Sequence, residues 1–179
     1  MTEEKQASSR FFLSLAGLPG ILGGLVLILD QLSKSLVMRI WPEPGRIYQE
    51  VIPGFFSLVH FRNTGAAWGI LSDHTWLLGL ISLFALAAII IFFRQLSESR
   101  LPLALSYGIL LGGIAGNLYD RLFRHFVVDF LFFYYRDYKY SWPAFNIADM
   151  AITCSVTFMV IYSLFFAGRK KSEHHTSEA

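Results

Sequence analysis

With Cys154 its only cysteine in 179 residues, the chain can form no internal disulfide and no thiol-based metal knot. That cysteine lies in the middle of the last apolar stretch, where it reads as a small buried or lipid-facing side chain rather than a nucleophile. Metal-ligand patterns are missing as well. There is no His-Glu-x-x-His and no Cys/His spacing, and His174 and His175 fall in a polar tail. A metalloprotease reading therefore has no support, and no metal or cofactor is expected. Charge is scarce: Asp, Glu, Lys and Arg make up 16% of the chain, against about 25% in ordinary soluble proteins. The formal net charge of +2 gives no sign of nucleic-acid binding.

What the chain has in excess is apolar surface, at 54% of residues. Four stretches, about 11–38, 76–93, 101–119 and 147–167, are long enough to cross a hydrocarbon core, which takes roughly 20 helical residues. The first could be mistaken for a cleavable secretory signal. It is too long for one, no small-residue cleavage pattern follows it, and it carries Asp30 and Lys34 near its end, so a retained span is expected. The fold class this predicts is an all-α membrane protein of four transmembrane helices with a small extramembrane β layer on the outer face. Residues 1–179 read as one integral membrane domain ending in a polar tail, 168–179.

Orientation is not fixed by charge. With both termini inside, Lys5, Arg10, Arg94, Arg100, Arg169, Lys170 and Lys171 lie on one side, and Arg39, Arg46, Arg62, Arg121, Arg124, Arg136 and Lys139 on the other. The raw count ties, although the basic residues are denser in the short inner segments.

Between the first two spans, residues 47–61 (IYQEVIPGFFSLVHF) are rich in β-branched and aromatic side chains and are broken by Pro53-Gly54, which predicts two short strands. A further strand is expected over 126–135, on the same side of the membrane. Trp41, Trp68, Trp76, Tyr134, Tyr135, Tyr138, Tyr140 and Trp142 would suit the headgroup zone around such a layer. In the third span, Gly108, Gly112 and Gly116 recur every four residues, with Gly113 beside them, which is a face for close helix packing.

Ionisable groups within spans are costly, by about 2.5 to 3.5 kcal/mol at a helix centre, and so call for a partner or a task. Asp30 and Lys34 are four apart on one helix face and read first as a structural brace. Asn117, Asp120 and Arg121 close the third span, with Asp120 and Arg121 expected as an interfacial ion pair. Asn146 and Asp149 open the fourth in an order that suits a helix cap. Asp129, inside the apolar run VVDFL, has no local partner.

Asp129 and Asp149 lie toward the same membrane surface and are joined by a connection short enough to fold back, so the two acids can meet. Paired carboxylates in a low-dielectric site share a proton, and such a pair can activate a water against a peptide carbonyl. Spacing alone leaves other readings open. Membrane acids also mark transporters and proton channels, and the glycine face alone would suit an assembly scaffold.

Five segments narrow the choice: Asp30-Gln-Leu-Ser-Lys34, Arg62-Asn-Thr-Gly-Ala-Ala-Trp-Gly69, Gly112-Gly-Ile-Ala-Gly-Asn-Leu-Tyr-Asp-Arg121, Val127-Val-Asp-Phe130 and Phe145-Asn-Ile-Ala-Asp149. In these, and in their order, the chain resembles the lipoprotein signal peptidase (signal peptidase II) family. The resemblance implies an aspartyl endopeptidase with Asp129 and Asp149 as catalytic dyad. It implies that Asn63, Asn117, Arg121 and Asn146 line the site, with Asp30, Lys34 and Asp120 in support. The implied substrates are lipid-modified prolipoproteins, cut just before a diacylglyceryl-modified cysteine, with membrane lipids as the surroundings; a monomer is expected, although the sequence does not determine the oligomeric state. The implied location is the bacterial inner membrane, multi-pass, with both termini cytoplasmic and the site on the periplasmic face, which resolves the charge tie. Trp68 stands where the family more often has Phe, and Met150 where Ser is common; both bear on substrate preference.

Overall fold

The computed structural model describes residues 14, 17–65, 71–72, 74–98, 100–136 and 138–166. Trp68, the polar tail and the first residues expected in the first span lie outside these. Four helices are long and apolar enough to cross a membrane: α1 (Leu18–Ile40), α2 (Thr75–Ser97), α3 (Leu101–Tyr119) and α4 (Ile147–Phe166). The second, third and fourth lie close to the apolar stretches, because a spanning helix ends where its run of lipid-compatible residues does; the first starts at Leu18 rather than about residue 11, with Ser14 and Gly17 outside the helix and Pro19 in its first turn. Large apolar side chains point outward along them, Phe84 at 71% exposure and Leu164 at 77%, as suits a surface solvated by lipid.

Helix α3 is the central one and packs against each of the other three. Its glycines serve two faces rather than one. Gly108 and Gly112 lie directly on the backbone of Pro19 and Gly23 in α1, where a Cβ at either would strike the opposing main chain. A Cβ at Gly113 would sit 2.7 Å from the Ala148 carbonyl oxygen in α4, and one at Gly116 2.5 Å from Asp30 Oδ2. Small residues let backbones approach this closely where the surrounding lipid offers no hydrophobic drive. At its end α3 widens into a π-turn over Asp120–Arg124, a local form common at functional positions.

The extramembrane layer is a four-stranded antiparallel sheet in the order β1 (Arg46–Ile52), β2 (Phe56–Asn63), β3 (Val127–Tyr135), β4 (Tyr140–Ser141). Pro53-Gly54 makes the expected turn, with Gly54 at φ +75° in the left-handed region that glycine enters without strain. Strand β4, only two residues long, was not expected from the sequence. Tyr134 is an exception to the headgroup assignment: at 3% exposure it is buried, and its hydroxyl accepts from Ser57 Oγ at 3.1 Å. The sheet rests on the helices through Val37, Val128 and Phe130, with Met38, Trp41 and Ile147 against them. This seat joins the end of α1, the middle of β3 and the start of α4, and so brings their polar residues together.

Candidate active site

Register places the first pair of polar groups. Phe61 of β2 is opposite Asp129 of β3 and Asn63 is opposite Val127. Asn63 is two residues beyond Phe61 and so lies on the same sheet face as Asp129. The amide of Asn63 donates to Asp129 Oδ2 at 2.9 Å. From the other side Asn146, just ahead of α4, donates through Nδ2 to Asp129 Oδ1 at 2.7 Å. Asn146 also forms the expected helix start: its Oδ1 accepts the Asp149 backbone N–H at 3.0 Å, and its own backbone N–H donates to Asp149 Oδ2 at 3.2 Å. The cap and the site are the same contacts. Asp149 takes one more donor, Asn117 Nδ2 at 2.7 Å.

Both carboxyl groups are therefore hung from Asn146, and each oxygen of each already accepts one N–H. Asp129 is 2% exposed. Burial pushes its carboxyl up to about 7, the nearby Asp149 charge adds to this, and the amides of Asn63 and Asn146 oppose it.

Beneath the pair lies a charged brace. Lys34 Nζ is 2.8 Å from Asp30 Oδ2 and 2.9 Å from Asp120 Oδ2, with all three side chains at 0% exposure. Asp30 reaches past Lys34 to accept the Ala148 backbone N–H of α4 at 2.9 Å, so α1 holds the helix that carries Asp149. The expected Asp120–Arg121 ion pair does not form. Asp120 pairs with Lys34 and Arg124, because consecutive residues on a helix point about 100° apart whereas residues 120 and 124 share a face. Arg121 turns away to the cavity, its Nη1 3.4 Å from the Asn117 carbonyl oxygen. The sequence reading missed Gln31 and Arg124. Gln31 Nε2 reaches Asp30 at 3.0 Å and Asp120 at 3.2 Å, while its Oε1 accepts from Arg124 at 2.7 Å. The i, i+4 spacing of Asp120 and Arg124 was a usable signal; nothing marked Gln31 beyond its place next to Asp30.

A cavity of about 680 Å³ opens beside this network. Asn63, Asn117, Arg121 and Asp149 form its polar end, and Ile81 and Ala85 of α2, Ile114 of α3 and Ile152 of α4 its apolar flank. Trp142 and Phe145 stand on the sheet side. Asn146, expected on the wall, is fully buried behind it, where it links the two acids, and Asp129 is set back behind Asn63. Among the described residues no group of three or more His, Cys, Asp or Glu is placed to hold a metal ion. Asp30, Lys34, Asp120, Asn117, Asp149, Asn146 and Asp129 form one connected network that branches at Lys34. A transporter reading expects carboxylates spread along a path across the membrane; these are gathered at one place.

Comparison with known proteins gives a consistent result. The family described as "Signal peptidase (SPase) II" matches residues 22–165. The chain is 40% identical over 146 residues to the "Lipoprotein signal peptidase" of Geobacillus kaustophilus, covering 82% of this chain and 92% of that protein. It is 42% identical over 156 residues to the protein of the same name from Maridesulfovibrio salexigens, covering 83% and 95%. A solved bacterial membrane enzyme, determined by the in meso method at 1.9 Å, superposes with a TM-score of 0.72 at 32% identity, over 86% of this chain and 96% of that one.

Proposed function

The chain belongs to the signal peptidase II family and is a multi-pass membrane lipoprotein signal peptidase, and from that premise we propose that Asp129 and Asp149 perform the hydrolysis as a shared-proton pair. The observation that carries the reading is the suspension of both carboxyl groups from one residue, Asn146, at the polar end of the cavity.

In this mechanism the pair holds one proton. The ionised carboxylate takes a proton from a water as the water oxygen attacks the scissile carbonyl carbon, and the protonated carboxyl gives its proton to the carbonyl oxygen. The tetrahedral diol then collapses. Its hydroxyl proton returns to one carboxylate while the other carboxyl protonates the leaving nitrogen, and the C–N bond breaks. The products are a signal peptide with a new carboxylic acid end, which ionises by passing its proton to the new amine or to solvent, and a lipid-modified cysteine with that freed amino group; the pair ends with one proton as it began. Asn63, Asn117 and Asn146 keep both acids in place through this exchange, and Arg121, on the cavity wall, offers N–H donors to substrate carbonyls.

The substrate in this reading is a membrane-anchored prolipoprotein already carrying a diacylglyceryl thioether, cut just before that cysteine. The enzyme sits in the bacterial inner membrane with its site on the periplasmic face. The working form in this reading is a monomer. The apolar flank between α2, α3 and α4 suits an acyl chain or signal helix entering from the lipid, and that remote contact helps hold the scissile bond in reacting geometry. The test is cleavage of matched precursors with and without the diacylglyceryl group by purified enzyme in detergent. The unmodified precursor should be cut far more slowly; equal rates for the two would overturn the assignment.

A further inference from the structure

Each asparagine of the site has its carbonyl end occupied by a donor, and this decides where its NH2 can point. Asn63 Oδ1 accepts the Gly65 backbone N–H at 3.0 Å, and Asn146 Oδ1 that of Asp149 at 3.0 Å. For Asn117 the donor is a side chain, Lys34 Nζ, at 3.0 Å. A primary amide has one accepting end and one donating end, whereas an ammonium group only donates. Lys34 directs its N–H groups to Asp30, Asp120 and Asn117, and the two buried carboxylates fix where Nζ sits. The atom of Asn117 facing it must therefore be oxygen, and Nδ2 is turned onto Asp149.

We propose that Lys34 is a positioning residue for the peptidase reaction: it sets the orientation of the Asn117 amide so that Asp149 meets a hydrogen-bond donor and not a carbonyl oxygen. The proposal rests on the reading of Asp149 as a reacting carboxyl. Reversing the amide would set its oxygen against the carboxylate and its NH2 against the ammonium, two repulsive contacts in place of two attractive ones. The brace thus does more than neutralise charge. Asp30 and Asp120 hold Nζ, Nζ orients Asn117, and Asn117 presents its NH2 to the Asp149 carboxyl group. The charged groups that act on Asp149 are Lys34 and Asp30 of α1, Arg121 of the π-turn and Asp129 of β3. Of these only Lys34 touches Asn117 through its side-chain oxygen.

Two variants test it. Lys34→Met combined with Asp120→Asn removes a cation and an anion together, which keeps the net charge of the buried network unchanged while Asp30 and Arg124 lose their ion pairs. Asn117→Leu leaves both ion pairs of Lys34 intact. Turnover of a lipidated precursor is followed across pH, with KM and the unfolding temperature measured alongside. Each variant should lose roughly 10- to 100-fold in kcat, the equivalent of one hydrogen bond to a charged group, with KM within about threefold. In each, the acidic limb of kcat should move to higher pH by a similar amount, about one unit or more. All three substitutions together should be no worse than Asn117→Leu, because a relay broken twice is lost once. An unshifted acidic limb in either variant, or losses that multiply in the combined one, overturns the proposal. If the lysine variant does not fold, Asn117→Leu decides alone by whether its limb moves. Failure of the underlying reading looks different: Asp149→Asn would then retain turnover.

Discussion

Asp129→Asn should make the protein more stable at alkaline pH while nearly abolishing its activity. The folded protein raises this carboxyl from 3.8 to about 7, a difference on the order of 4 kcal/mol. For a carboxyl raised on folding, the associated stability is complete below 3.8 and is lost as pH rises through about 7. At pH 8 the native state therefore carries an ionised, buried Asp129 at nearly the full expense. Asparagine removes that charge. It also replaces one accepting oxygen with an NH2 that must face the amide of Asn63 or Asn146, and an unmatched buried donor costs about 1 to 3 kcal/mol. The net expectation is a gain of roughly 1 to 3 kcal/mol at pH 8, which turns into a loss near pH 4, where the folded wild-type carboxyl is protonated and the unfolded one is about half so, leaving little of the burial cost to relieve. Without a proton to share, turnover should fall by about 10²- to 10⁴-fold. Denaturant or thermal unfolding in detergent at pH 8 and pH 4, beside cleavage of a lipidated precursor, measures both. A stability difference that is the same at the two pH values would refute the electrostatic argument, and turnover above about a tenth of wild type would refute the catalytic one.

Asp149→Asn separates helix capping from chemistry. The Asn146 cap accepts the residue 149 backbone N–H whatever the side chain, so the helix start survives and the stability cost is that of one NH2 set against Asn117 or the Asn146 N–H, about 1 to 3 kcal/mol, while turnover falls about 10²- to 10⁴-fold; an active variant removes Asp149 from the mechanism. Cysteine placed at Ile47 or Tyr138, each 40% exposed, should react with a membrane-impermeant reagent in intact spheroplasts in a Cys154→Ala background, and cysteine at Gln95 should not. The opposite pattern would invert the topology. Gly112→Ala should lower the unfolding temperature by the equivalent of about 1 to 3 kcal/mol, since its Cβ would meet the Gly23 carbonyl carbon and Cα at 2.9 Å. Gly24→Ala, with nothing within 4 Å, is the control; equal effects at the two positions would show that close packing is not what Gly112 provides.

The spans, the two strands around Pro53-Gly54 and the strand through Asp129 were legible because each follows from local composition and period: a run of apolar residues for a spanning helix, β-branched and aromatic residues around a turn for a hairpin. The resemblance carried by five short motifs supplied the family and the candidate acids. Strand β4 was not legible, since two residues, Tyr140 and Ser141, carry no period and pair only because β3 is already in place. The Asp120–Arg121 pairing failed for a related reason. Adjacency in sequence suggested it, but rotation along the helix sends Asp120 to Lys34 and Arg124, and Arg121 to the cavity.

The sequence by itself determined which residues must be buried in lipid, where the chain turns, and that Asp129 had no neighbour in sequence able to offset its burial. Only the tertiary structure decided what answers each of those burdens. Asp129 meets Asn63 through strand register and Asn146 through the fold-back to α4; Asp30 caps a helix that begins far along the chain; and Gln31 joins acids from two different elements. The physical reason is one of range. Hydrophobic period and turn chemistry act between near neighbours, whereas a buried polar atom is satisfied by whatever donor or acceptor packing brings within about 3 Å, and in this fold those partners lie up to 118 residues apart.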